Sequence, residues 1–257
     1  MVTPAALTAR QDLAALREIA QVPAQRSGPA GERLVPVVPP LAALLPQEGL
    51  RRGSTVAVTG SASLVLTLLC GPAQAGGWCA VVGFAQLGLL AAAESGIALE
   101  RLALVPVPGP RWPVVVATLL DAMDVVVVCP PASPGAAGRR LMARARERGA
   151  VLVAVGAWEG ADLRLAALER RWEGVGAGHG HVRVGHLLVE VSGRGAARRP
   201  RRAWVAVTGS SDTRSSDTES ASMESASMES ASRESASARP VDRGPTVTVR
   251  LRSAGVA

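Results

Sequence analysis

The run Gly49-Leu50-Arg51-Arg52-Gly53-Ser54-Thr55-Val56-Ala57-Val58-Thr59-Gly60-Ser61-Ala62-Ser63 has the layout of a phosphate-binding loop: a turn, a buried strand, a Gly/Ser loop and the start of a helix. A working loop of this kind needs G-x-x-x-x-G-K-[ST]. Its backbone N–H groups wrap the phosphates, the Lys reaches the terminal ones and the hydroxyl holds Mg²⁺. Counting from Gly60, the second Gly falls on Val65, the Lys on Leu66 and the hydroxyl on Thr67, so only Thr67 matches. A shorter loop with Ser61 or Ser63 supplying the hydroxyl still lacks the Lys. The degenerate loop therefore comprises Gly60, Ser61, Ala62, Ser63 and Thr67. Free N–H groups of a helix starting at Ala62 or Ser63 would attract an anion. The other reading is a tight strand-to-helix turn with Ser61 as N-cap, and the missing Lys favours it.

The second element of such a site is a buried strand ending in Asp, which positions Mg²⁺. Asp124-Val125-Val126-Val127-Val128-Cys129-Pro130-Pro131 has the strand but ends in Cys129, with Asp124 at the opposite end. Asp124 and Asp121 read as polar turn residues. With both elements missing, no catalytic residue, no cofactor and no enzyme activity are expected. Gly178-His179-Gly180-His181 with His186 fits no metal-ligand spacing, and no metal site is expected. Nothing in the sequence places a His beside Cys129 for thiol chemistry.

Arg194, Arg198, Arg199, Arg201 and Arg202 crowd the connection between the last two strand-like runs, with Trp204 just after. Such a cluster can contact phosphates or a partner protein, and the Trp can stack on a base or anchor a partner. A solvated loop beside a core Trp is the equal alternative.

These residues need a scaffold, and the 257-residue chain has the apolar content for one, 48% against 19% charged. All 28 basic residues are Arg; Lys, Asn and Tyr are absent. This is the imprint of GC-rich coding, so the net charge of +7 is weak support for nucleic-acid binding. The absence of Lys excludes Schiff-base chemistry. Cys70, Cys79 and Cys129 are widely spaced and read as reduced core residues, and with no recognisable leader the expected compartment is the cytoplasm. Ser54 to Ala93 carries no charge, but its glycines cut it into pieces too short to span a bilayer.

From Gln47 to Val207 β-like runs alternate with helix-length segments. Strands apolar at every position, such as Val125 to Val128, are those of a parallel sheet covered on both faces. After Arg170, His181 to Gly185, Leu187 to Val191 and Ala203 to Val207 follow one another without helices, as antiparallel edge strands would. The expected organisation is an N-terminal helix (Ala9 to Gln21) and Pro-rich lead-in over 1–46, an α/β domain over 47–209, a disordered Ser/Ala/Glu linker over 210–240, and a tail over 241–257. In the linker a five-residue repeat places Glu219, Glu224, Glu229 and Glu234. Thr246 to Arg252 alternates apolar and polar, as an edge strand would; a frayed terminus is the favoured reading there.

Pro40-Leu41-Ala42-Ala43-Leu44-Leu45-Pro46 through Gly60 resembles the approach to the phosphate-loop strand of the RecA recombinase core. Gly77 to Gly83, Leu102 to Pro106, Asp124 to Pro131, Arg144 to Leu152, Ala161 to Leu165 and Trp172 to Gly180 follow in that core's order. Over about residues 35 to 207 the chain looks most like the actinobacterial ImuA-type mutasome proteins, degenerate RecA relatives. The resemblance implies a RecA-like α/β core, with a mostly parallel helix-flanked sheet, antiparallel strands at its C-terminal edge and a disordered tail. It also implies a non-catalytic accessory role in DNA-damage-induced (SOS) mutagenesis. The partners would be a catalytically inactive Y-family polymerase homologue, an error-prone DNA polymerase and, in some form, DNA, with no membrane. A residual nucleotide-binding RecA-like ATPase and a damage-induced cell-division inhibitor are the alternatives.

Overall fold

The computed structural model describes residues 33–131, 133–173, 184–207 and 247–250. The expected N-terminal helix and the Ser/Ala/Glu linker lie outside these residues, as do His179 and His181.

A two-stranded ribbon leads in: β1 (Leu34–Pro36) runs antiparallel to β2 (Gly49–Arg51), with α1 (Pro39–Ala42) between them. Leu41, Leu44 and Leu45 are buried, so this apolar segment packs into the domain. The main sheet then builds in chain order from β3 (Thr55–Thr59), α2 (Ala62–Gln74), β4 (Cys79–Val82), α3 (Leu89–Glu94), β5 (Leu102–Val105) and α4 (Trp112–Ala122). It continues with β6 (Val125–Val128), α5 (Gly135–Arg148), β7 (Val151–Val155), β8 (Leu163–Glu173), β9 (Val184–Gly193), β10 (Arg201–Val207) and β11 (Val247–Arg250).

The strands lie in the order β10-β9-β8-β3-β7-β6-β4-β5. Pairing is parallel from β8 through β3 to β5, and antiparallel from β8 to β9 and from β9 to β10. This is the mixed, helix-flanked sheet expected from the sequence, with its antiparallel strands at one edge.

The apolar strands are buried on both faces because strand side chains alternate. Val56, Val58, Val81, Val127 and Val153 face a core shared with α1, α2 and α3. Ala57, Ala80, Val82, Val126 and Leu152 face a second core under α4 and α5. The first core continues beneath β8 to β10 through Leu165, Leu187, Val189 and Val205. On the other face of those strands, Arg164, Glu169, Arg171, His186, Leu188, Glu190, Arg202 and Trp204 are half-buried or exposed and belong to neither core.

Three expectations change. β8 is an eleven-residue strand over a stretch where the sequence reading named no strand. Its Arg164, Glu169, Arg170 and Arg171 mask the alternation, and an irregularity between Ala167 and Glu169 breaks the period. Val184–Gly193 is one continuous strand, β9, that runs through the break expected at His186. At the C-terminus Val247–Arg250 pairs antiparallel with Glu169–Trp172 of β8, the strand form rather than the frayed terminus favoured from the sequence.

Candidate functional site

β3 ends at Thr59 and α2 begins at Ala62, so Gly60 and Ser61 alone connect them. Gly60 has φ +89°, and a Cβ there would collide with the carbonyl oxygen of Ala167 on β8. Only glycine tolerates that conformation and that approach together. The two-residue connection thus packs closely on β8 through Gly60.

Ser61 occupies the N-cap position of α2 in extended conformation, but its side chain makes no capping bond. Its hydroxyl instead accepts a 2.7 Å hydrogen bond from Nη2 of Arg170. The expected Ser61 cap is thus corrected: the position is right and the bond is not made. β8 outruns β3 by several residues past the Thr59–Ala166 pair, which carries Arg170 over the turn. The Arg170 guanidinium also lies 5.3 Å from the ring centre of Trp172. Thr67, the one hydroxyl in phosphate-loop register, donates at 2.8 Å to the Ser63 carbonyl inside its own helix. Leu66, in the Lys position, is 7% exposed and part of the core.

The groove beside the first turns of α2 has a volume of about 600 Å³ and touches Ser63, Leu66, Thr67, Trp172 and Val207. Glu94 is the one charged residue among its described lining residues, an acid that repels phosphate. Cys129, at the end of β6, is partly buried, and burial pushes its thiol up, away from the nucleophilic thiolate.

Asp124 does more than fill a polar turn. It is 3% exposed and accepts Nη1 of Arg52 at 2.8 Å and the Trp78 backbone N–H at 3.0 Å. One carboxylate thereby ties together the segments entering β3, β4 and β6. Asp121 receives Arg144 and Arg148 from α5. Hydrogen bonding to that carboxylate raises the Arg144 pKa further. Among the described residues no three His, Cys, Asp or Glu side chains gather as a metal site would require.

The basic connection runs from β9 to β10 through a 3₁₀ turn at Gly195–Arg198. Arg194, Arg198, Arg199, Arg201 and Arg202 are all exposed. Arg202 pairs with Glu190 through Nε and Nη2, both at 2.6 Å. Trp204 is neither a core residue nor a bare platform: the Arg171 guanidinium sits 4.0 Å from its ring centre on the open face of the sheet. The structure thus separates the two predicted groups of residues. Gly60 to Thr67 lie at the C-terminal end of β3, and Arg194 lies near its N-terminal end, where its backbone N–H donates to the Asp162 carbonyl.

The MT3502 N-terminal domain family matches residues 43–160. The uncharacterized protein Rv3395c of Mycobacterium tuberculosis is 37% identical over 157 residues, covering 56% of this chain and 74% of its own length. The chain belongs to the Rv3395c family. The crystal structure of the RadB recombinase aligns with 66% of this chain and 94% of its own at 14% identity, with a TM-score of 0.47.

The MT3502 N-terminal domain match holds the Gly60–Ser61 turn, Leu66, Asp124 and Cys129; Arg170, the basic connection and Trp204 lie beyond it. Sequence reasoning missed Arg170 and Arg171 in this Rv3395c-family chain. The available signal was the Arg170-Arg171-Trp172 triplet itself, adjacent cations and an aromatic on what is a strand. Among the described residues no helix is long and apolar enough to cross a membrane.

Proposed function

We propose that this chain is a non-catalytic, RecA-fold accessory protein of DNA-damage-induced mutagenesis. It docks with a Y-family polymerase homologue and an error-prone polymerase during translesion synthesis. The observation that carries the non-catalytic half is the Arg170 guanidinium seated on Ser61 across the two-residue turn. Together with buried Leu66, it puts protein where a phosphate chain would need an open loop and a Lys.

Loss of hydrolysis leaves the fold intact, because the sheet is held by apolar burial on both faces rather than by a nucleotide. Docking is assigned to the antiparallel edge. β10 is the last strand of the sheet order and carries exposed Arg201 and Arg202, with Arg198 and Arg199 on the connection before it. An edge strand offers backbone N–H and C=O groups to a partner strand, and flanking arginines select an acidic one.

The test is co-purification of the full chain with the polymerase homologue, wild type beside R198A/R199A/R201A/R202A. Retention by the wild type and loss by the variant are expected. A complex unaffected by the four substitutions overturns the surface, and no complex with the wild type overturns the docking role.

A further inference from the structure

A cavity of about 440 Å³ opens at the N-terminal end of β3, on the side away from the Gly60–Ser61 turn. The five residues of β3 separate the two by roughly 15–20 Å at the usual strand rise. Its wall brings together Arg51 from β2, Arg146 from the last turn of α5 and Arg194 from the start of the basic connection. These come from three distant stretches of sequence, and all three side chains are exposed rather than packed. Gly53, with φ +78°, lets the helix close that wall, since a Cβ there would lie 3.1 Å from the Arg146 Cα.

Two polar groups complete the lining. Ser54 is 6% exposed, and its hydroxyl is buried without a hydrogen-bond partner. A buried hydroxyl left unpaired costs free energy, and such groups mark places where a ligand or water completes the bonding. Asp162 supplies the one described carboxylate of the wall, and its Oδ2 already accepts the Thr55 backbone N–H at 2.9 Å. Three arginines against one engaged carboxylate give the lining an excess of positive charge. Guanidinium forks match phosphate oxygens in pairs.

We propose that this cavity binds a phosphate group, with Arg51, Arg146 and Arg194 as its ligands. The volume is in the range of small-molecule sites and holds a nucleotide as well as a bare phosphate. Arg194 also begins the connection bearing exposed Arg198 and Arg199, so a strand held here by one phosphate would have further arginines nearby in the chain. The shared chemistry is the phosphate group; its source is a free nucleotide or a DNA strand. The site is separate from the Gly60–Ser61 turn, so phosphate binding here leaves the non-catalytic reading standing, and its failure does too.

The test measures the affinity of pyrophosphate, ATP and fluorescent oligo(dT), with and without a 5′-phosphate, for the full chain and for R51Q/R194Q. The exposed α5 variant R139Q/R140Q serves as charge control, and thermal melts verify that each variant is folded. The expected result is saturable binding that weakens about tenfold or more in R51Q/R194Q, as lost charge-assisted bonds require, and much less in the control. Binding of pyrophosphate and ATP assigns a nucleotide source; binding of oligo(dT) alone, with a shallower salt dependence in the variant, assigns a strand. Absence of binding by every probe at millimolar concentration overturns the proposal, as does equal binding by wild type and R51Q/R194Q.

Discussion

Arg170 on β8 and Ser61 at the start of α2, 109 residues apart in sequence, are joined by a 2.7 Å hydrogen bond from guanidinium to hydroxyl. The bond spans the strand-to-helix turn, and Gly60 of that turn packs against the Ala167 backbone. A single strand, β8, therefore supplies both contacts.

Replacing Arg170 with Ala should lower the unfolding free energy by about 1–2 kcal/mol, the worth of one charge-assisted bond and one partly desolvated cation–π contact. Arg170→Lys should recover less than half, because an ammonium cannot both stack flat on Trp172 and reach Ser61. Urea midpoints of the three proteins measure this, and identical midpoints would refute the contact's role.

Gly60→Ala should cost more, about 2 kcal/mol or above, since it combines a disfavoured positive φ with a Cβ driven into a β8 carbonyl. The same urea series decides it. A neutral substitution would mean that the turn is open enough to accommodate a ligand.

Asp124→Ala should be among the most damaging single changes, about 3 kcal/mol or more, because it removes the carboxylate that Arg52 and the Trp78 N–H share in a nearly closed site. Asp124→Asn, which keeps an acceptor but loses the charge, should fall between it and wild type. Thermal and denaturant unfolding of the pair against wild type are the check.

The parallel half of the sheet was legible because its central strands are almost wholly apolar; Val125 to Val128 reads as a doubly covered strand. That Leu66 and Cys129 stand in registers that demand Lys and Asp could likewise be read from the sequence. The contact across the Gly60–Ser61 turn could not. Arg170 reaches Ser61 only because β8 overshoots β3, and relative strand length is a property of pairing rather than of local sequence. The cavity at Arg51, Arg146 and Arg194 was hidden for the same reason. Its cations belong to three unrelated stretches, and a linear reading finds charge clusters only where they are contiguous.

Alkaline stability follows from composition and burial together. Burial, with Asp124 nearby, pushes the Cys79 thiol up to about 12, from an ordinary value of 9.0. Burial also raises Cys70 and Cys129. Above pH 9 the unfolded chain releases these protons first, so the stabilising difference is complete below that pH and is lost as pH climbs toward 12. With no Lys or Tyr in the chain, little else titrates in that window. Cys79→Ala should be less stable at pH 7 through lost packing, yet show a flatter decline from pH 9 to 11 in denaturant unfolding. A decline as steep as wild type would assign the effect elsewhere.

The most direct test of the closed turn is the rate of Mg²⁺-ATP hydrolysis by the purified full chain, beside an authentic RecA-type ATPase under the same conditions. The closed Gly60–Ser61 turn predicts no turnover above buffer, with or without single-stranded DNA. Sustained turnover that falls when Ser61 or Thr67 is changed to Ala would contradict it, because those hydroxyls would then be serving a nucleotide rather than Arg170 and the α2 backbone.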